Sequence, residues 1–233
     1  MPKATQKPTS KPAKTAAKNA AERQPVAAKR SAVAGGKAAP SAHTGAEDDV
    51  RITALKLPKG KLSPEMDAYF KKCDEKLGFV PNVLKAFAFD NGKLEAFVEY
   101  RQQLVQNAET LSKLEIEMIA TAVSSQNRCF YCITAHGNGV RALGTPVLGE
   151  MMVQNYRAAR LSKRQRAMLD FVTKLTAEPW AIEEADRAAL REAGFGARDI
   201  WDIAAVAGFF NMSNRVASAT DMRPNPDYHG QAR

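Results

Sequence analysis

Apolar residues recur at helical spacing along most of the chain from residue 50 onward. In the segment SPEMDAYFKKCDEKLG, one helix face collects Met66, Tyr69, Phe70, Cys73 and Leu77. Ser63 and Pro64 are typical of the first turn of such a helix, and Gly78 is typical of its end. The pattern therefore predicts an amphipathic helix with Cys73 in the core.

The segment LSKLEIEMIATAVSSQ is apolar on nearly all sides. Ser112 followed by Glu115 forms a capping-box pattern at its start, so residues 111–126 are predicted to form a buried helix. Further helix starts follow at Thr145 and Ser162, and a stop at Gly194. Because no strand alternation appears beyond the brief VRITALKL, we predict an all-α domain over residues 50–233.

Two helix starts resemble each other, LSKLEIEMIATAV from residue 111 and LSKRQRAMLDFVT from residue 161. Each begins a helix pair, which indicates two related helical hairpins packed about a pseudo-twofold axis. Only the first hairpin carries cysteines. Chance similarity at a helix start is the alternative explanation.

The positive charge is concentrated before this domain. Residues 1–46 hold nine lysines and arginines against the single acid Glu22, and so carry +8 of the net +9. With no aromatic residue and no apolar period, residues 1–49 are predicted to be a disordered tail. The tail is either solvated without specific function or a polyanion-binding arm that contacts nucleic acid non-specifically.

The three cysteines do not indicate a disulfide scaffold, because Cys73 would be left without a partner. A reducing compartment fits this better, and the sequence has neither a long apolar run nor a secretory signal. These features predict a cytoplasmic protein without a membrane segment.

The candidate chemistry lies in the segment CFYCITAH. On a helix, Cys129, Cys132 and His136 share one face within about two turns. The polar SSQNRC places Cys129 at the start of that helix, where free N–H groups stabilise a thiolate and an imidazole can accept its proton. The segment is a redox dithiol, a set of metal ligands, or a group of inert helix residues.

A fourth group follows from counting along the predicted hairpin. If the chain reverses near Asn127, Glu117 and His136 both stand about 14 Å from the turn, at about 1.5 Å per residue. Glu117 lies among apolar residues, where a carboxylate needs a partner. We therefore expect a Glu117–His136–cysteine relay.

Zinc is the main alternative ligand. Cys129, Cys132 and His136, with Glu117 as a fourth ligand, could bind it, but structural zinc usually draws its ligands from two separated pairs. The sequence has no second C-x-x-C or H-x-x-x-H pair. We therefore predict neither a metal nor a cofactor.

The segments GFVPNVL, LSKLEIEMIATAVSSQNRCFYCITAHG and FFNMSNRVA together resemble the alkyl hydroperoxidase D (AhpD)-like branch of the carboxymuconolactone decarboxylase superfamily, above all its peroxidase-related members. The resemblance covers about residues 50–225. It implies an all-helical homo-oligomer, a trimer or hexamer, that reduces hydroperoxides through a dithiol. The decarboxylases lack the paired cysteines, which argues against lactone decarboxylation here.

By position in that family pattern, Cys132 corresponds to the peroxidatic thiolate and Cys129 to the resolving thiol. His136 corresponds to the group that deprotonates Cys132, and Glu117 to the carboxylate behind it. A sulfenic acid on Cys132 would condense with Cys129 to a disulfide, which an external dithiol such as a lipoyl-bearing protein would reduce. Tyr131 stands where the best-known members have histidine. The alternative function is a non-catalytic redox sensor or polyanion-binding helical protein.

Overall fold

The computed structural model describes residues 51–106, 108 and 110–233, which form α-helices, two short 3-10 helices and loops without a strand. The predicted tail, residues 1–49, lies outside the described residues. None of the described helices is long and apolar enough to cross a bilayer. The helices are α1 (Pro64–Leu77), α2 (Asn82–Phe87), α3 (Asn91–Gln106), α4 (Lys113–Gln126), α5 (Phe130–Leu143), α6 (Pro146–Asn155), α7 (Lys163–Ala177), α8 (Glu184–Glu192), α9 (Ala197–Ala219) and α10 (Asp227–Gly230), with 3-10 helices at Tyr156–Ala158 and Pro179–Ala181.

Helix α4 is the centre of the domain. Its predicted capping box is present, with Ser112 accepting from the Glu115 N–H and Glu115 accepting from the Ser112 N–H. Ile116, Met118 and Ile119 are almost completely buried, and α5, α6, α7 and α9 pack around the helix. The prediction of a buried helix is confirmed.

The second helix start resembles the first in structure as well as in sequence. Ser162 caps α7 through a capping box with Gln165. The two boxed helices, α4 and α7, pack against each other, while α5 and α8 complete the two hairpins. This arrangement agrees with the predicted relation between the hairpins.

Helix α1 forms as predicted at both ends. The Ser63 side chain accepts from the Met66 N–H at 3.3 Å, and Gly78 ends the helix in a left-handed conformation with φ of 82°. Met66 and Cys73 are buried, as predicted for Cys73, whereas Leu77 of the same face is 46% exposed. It lies in the last turn, where it lines one side of the cavity described below.

Candidate active site

A tight turn between α4 and α5 positions the first cysteine. The N–H of Cys129 donates to the Ser124 carbonyl and the N–H of Arg128 to the Ser125 carbonyl, which is the Schellman pattern of a helix end. Arg128 occupies its left-handed position with φ of 53°, where glycine is the usual residue. Cys129 is therefore the last residue of the Schellman pattern that ends α4. It is also the N-cap of α5, which agrees with its predicted place at the start of that helix.

The two cysteines of the motif are free thiols, and each is 1% exposed. Cys132 lies in the first turn of α5 and lines a cavity, whereas Cys129 is not part of the cavity wall. Of the two sulfurs in the motif, that of Cys132 is thus the one that a molecule in the cavity can meet; Cys73 of α1 also lines this cavity. Cys129 lies behind Cys132, close to α9.

The pKa values of Cys129 and Cys132 are shifted in opposite directions. The Cys132 thiol, acting as hydrogen-bond donor, is the main cause that lowers the pKa of Cys129 to about 6, and burial opposes it. The Cys132 backbone N–H, the Ser218 hydroxyl and the charge of His136 lower this pKa further. The pKa of Cys132 is raised, mainly because its thiol donates to Cys129 and because it is buried. One negative charge is therefore stabilised on the pair, and the two apparent pKa values belong to both residues.

Glu117 and His136 are in direct contact across the α4–α5 hairpin. His136 Nδ1 lies 2.8 Å from Glu117 Oε2, and the imidazole packs edge-on against the Phe210 ring at 4.6 Å between centroids. Burial tends to raise the pKa of Glu117, but the charge and hydrogen bond of His136, with the charge of Arg101, bring it below its ordinary value. The carboxylate is therefore ionised at neutral pH and holds one nitrogen of the imidazole.

Gly139 makes room for this carboxylate. It lies in α5, one turn beyond His136. A Cβ atom at this position would stand 2.7 Å from the Glu117 Cδ and 3.0 Å from its Cγ, and nearer still to Oε2. Real Cβ atoms do not approach other atoms so closely. The glycine is thus required for Glu117 to reach His136.

Tyr131, between the two cysteines, is bound to a neighbouring helix. Its hydroxyl accepts a hydrogen bond of 3.0 Å from the Val83 N–H at the start of α2. The side chain is 4% exposed, and burial raises the pKa of its phenol well above the ordinary value. Tyr131 therefore stays protonated at neutral pH and fixes α2 to the cysteine motif.

Helix α9 adds polar groups that the sequence reasoning did not assign to the site. Ser213 and Asn214 interact with the Cys132 sulfur, and Ser218 interacts with Cys129. Asn214 is 1% exposed and also donates to the Ser124 hydroxyl at 3.0 Å. Four-residue spacing of polar groups within an otherwise apolar helix was the available signal.

The cavity has a volume of about 170 Å³ and a mostly apolar, aromatic wall. Helices α1, α2, α3, α5 and α9, together with Tyr228 of α10, contribute side chains to it. The wall comprises Tyr69, Cys73, Leu77, Pro81, Val83, Leu84, Phe97, Arg101, Tyr131, Cys132, Ala135, His136, Phe209, Phe210, Ser213 and Tyr228. It therefore combines two thiols, Cys73 and Cys132, and the imidazole of His136 with space for an apolar molecule.

The zinc alternative concerns the same side chains. Within the part of the chain that the structure describes, no three His, Cys, Asp or Glu side chains converge as a metal-binding group. Instead, one imidazole nitrogen of His136 contacts the Glu117 carboxylate, and the Cys132 thiol contacts the Cys129 sulfur. Such a site can transfer protons to and from sulfur at the wall of an apolar cavity.

Comparison with known proteins indicates the family of the chain. The model of the carboxymuconolactone decarboxylase family matches residues 94–146. An uncharacterized peroxidase-related protein of Silicibacter sp. TM1040 is 59% identical, with a TM-score of 0.76, over 78% of this chain and 97% of its own. A protein of Ralstonia eutropha JMP134, described as an alkylhydroperoxidase AhpD core and as peroxidase-related, is 37% identical, with a TM-score of 0.74, over the same shares.

A third structure is more distant. The debrominase Bmp8 is 17% identical with a TM-score of 0.62, over 72% of this chain and 90% of its own, and at this identity the likeness concerns the fold alone. No curated protein matches the sequence. The identity and coverage of the two closer structures decide the assignment. The chain belongs to the AhpD-like carboxymuconolactone decarboxylase superfamily, among its peroxidase-related proteins.

Proposed function

We propose that the protein is a dithiol-dependent hydroperoxide reductase, a peroxidase of the AhpD type that serves antioxidant defence. The observation that carries the proposal is the position of Cys132. Its sulfur lines an apolar cavity beside His136, which Glu117 holds at 2.8 Å, while Cys129 lies behind it at the start of α5. The names of the related proteins point the same way.

The reaction is a two-electron reduction of the peroxide. The Cys132 thiolate attacks the outer peroxide oxygen, so that an S–O bond forms, the O–O bond breaks and the departing alkoxide takes a proton to become an alcohol. Cys129, which holds the proton taken from Cys132, then attacks the sulfur of the Cys132 sulfenic acid. An S–S bond forms, the S–O bond breaks, and the departing hydroxide takes that proton and leaves as water. An external dithiol reduces this disulfide by exchange and is itself oxidised.

The acidity of the thiol pair supplies the nucleophile. With the pKa of Cys129 near 6, the pair carries one negative charge at neutral pH. Transfer of the Cys132 proton to Cys129 moves this charge onto the sulfur that faces the cavity. His136, ionically supported by Glu117, is the group that exchanges protons with Cys132 and with the departing oxygen.

The first experiment measures peroxide consumption with dihydrolipoamide as reductant. Cys132→Ser abolishes turnover, and His136→Gln or Glu117→Gln lowers it by about 10²–10⁴-fold, the usual contribution of a positioned acid or base. Cys73→Ser removes the third thiol of the chain, which also lines the cavity but takes no part in the proposed steps, and should therefore keep turnover. Full activity in Cys132→Ser would refute the proposal.

A second experiment is independent of the reductant. One equivalent of peroxide added to the reduced protein should remove two of the three thiols and give a peptide mass for a Cys129–Cys132 disulfide. Unreactive thiols together with stoichiometric zinc in the purified protein would instead support a metal site.

The partners that the family resemblance implies are part of the proposal. A lipoyl-bearing protein would supply the reducing dithiol, and the protein would act as a trimer or hexamer. Light scattering tests the oligomer, and a reconstituted lipoyl protein tests the reductant. Residues 1–46 would add a salt-sensitive contact with nucleic acid, which deletion of that segment should remove.

A further inference from the structure

One cation in the cavity wall is left without a function by these steps. Arg101 lies in α3, one turn after Phe97, and is half-buried. Arg101 lines the same cavity as Cys132 and His136. Among the residues that the structure describes, it forms neither an ion pair nor a hydrogen bond through its side chain.

The charge of Arg101 reaches the groups around the cavity. It contributes to lowering the pKa of Glu117, and it lowers the pKa of Cys73 and of Tyr228 against the effect of burial. Glu117 is nevertheless bound to His136, at 2.8 Å. Because Glu117 is held by His136, no acceptor among the described residues binds the N–H groups of Arg101.

A half-buried arginine without an acceptor has lost part of its hydration, and a bound anion can replace it. The planar fork of the guanidinium matches a carboxylate, which it binds through two parallel hydrogen bonds. The surrounding wall is apolar and includes Leu84, Phe209 and Phe210. The volume of about 170 Å³ is below the roughly 300–1,000 Å³ of pockets for drug-sized ligands, which favours a small ligand.

We propose that the cavity selects small organic hydroperoxides that carry a carboxylate. The carboxylate binds Arg101, the apolar body packs on the aromatic wall and the peroxide group meets Cys132. This inference rests on the proposed function and names its substrate class. The bonds that form and break are those given above, and the carboxylate takes no part in them.

The test compares three peroxides of nearly equal shape: cumene hydroperoxide, its derivative with a para-carboxylate, and the methyl ester of that derivative. The measured quantity is the ratio of kcat/KM for the acid to that for the ester. In the wild type this ratio should exceed one by about tenfold to a hundredfold, as expected for a charge-assisted pair in a shielded site. In Arg101→Met the ratio should fall to about one or below, because only the ester keeps its contacts.

The controls separate charge from shape and from folding. Arg101→Lys keeps the charge without the fork and should give an intermediate ratio. Arg160→Met removes an exposed arginine that is absent from the cavity wall and should leave the wild-type ratio. Since each ratio is taken within one protein sample, partial loss of fold cancels. If Arg101→Met does not fold, the inference is tested by whether the acid-to-ester ratio of kcat/KM is lower in Arg101→Lys than in the wild type.

A wild-type ratio of one, with turnover of all three peroxides, would overturn this inference and leave the proposed function intact. If no peroxide is reduced, the proposed function fails and the inference is tested by binding. Calorimetry with para-isopropylbenzoate should then show binding that weakens about tenfold or more in Arg101→Met. Equal or absent binding in both proteins would overturn the inference.

Discussion

The contact between Gly139 and Glu117 permits a prediction in which stability and activity are separated. In Gly139→Ala, the new Cβ would stand 2.7 Å from the Glu117 Cδ. The carboxylate must therefore leave the position from which it holds His136 at 2.8 Å. Gly208→Ala in α9 is the matched control, because a Cβ there meets no atom within 4 Å.

The two variants share the gain of alanine over glycine in a helix interior, about 0.5–1 kcal/mol. Gly139→Ala also loses a charge-assisted hydrogen bond of a largely buried carboxylate, which costs about 1–3 kcal/mol. We therefore expect Gly139→Ala to be less stable than Gly208→Ala by about 1–3 kcal/mol. Its peroxide turnover should fall by about 100-fold, as for removal of a positioned acid or base, while Gly208→Ala stays at the wild-type level.

Urea unfolding and peroxide turnover measure these effects. In the background of Glu117→Ala, the carboxylate that collides with the new Cβ is absent. Gly139→Ala should then cost no further activity and should stabilise the protein as Gly208→Ala does. Wild-type turnover in the single variant Gly139→Ala would refute the role assigned to the Glu117–His136 contact.

Four further outcomes are expected for the three cysteines and for the turn that precedes Cys129. The ultraviolet thiolate absorbance should titrate with an apparent pKa of about 6. In Cys132→Ala the pKa of Cys129 should rise toward its ordinary range, so that the absorbance at neutral pH falls. Under one equivalent of peroxide Cys73 should stay reduced although it lines the same cavity, because burial raises its pKa; peptide mapping can show this. Arg128→Gly should stabilise the protein against urea by up to about 1 kcal/mol, since a left-handed non-glycine residue is strained.

The helix ends and the central contact could be predicted from the sequence because they depend on local rules. Ser112 and Ser162 cap helices through residues three positions away. The pairing of Glu117 with His136 required only the rise per residue along two helices joined by a short turn. Periodicity placed Leu77 on the apolar face of α1 but does not show where that face leaves the core, and Leu77 is 46% exposed.

The rest of the site depends on contacts between distant segments. The hydroxyl of Tyr131 meets an N–H 48 residues earlier, and Asn214 reaches Ser124 across 90 residues. The four-residue spacing of Asn214 and Ser218 marks a polar face on the otherwise apolar helix α9, but it does not show that this face meets the thiols. Arg101 likewise follows an ordinary amphipathic pattern, and only the packed structure places it in the cavity wall.

The hydrogen bond between Tyr131 and Val83 links the oxidation state of the cysteines to the position of α2. A disulfide brings two sulfur atoms to about 2.05 Å, so the segment between Cys129 and Cys132, which includes Tyr131, must shift as the bond forms. Because the Tyr131 hydroxyl holds the Val83 N–H, this shift would be transmitted to α2. Hydrogen exchange of the Val83 amide should then differ between the reduced and oxidised protein. Val83 and Leu84 also line the cavity, so the space that receives a substrate would itself change with each turnover.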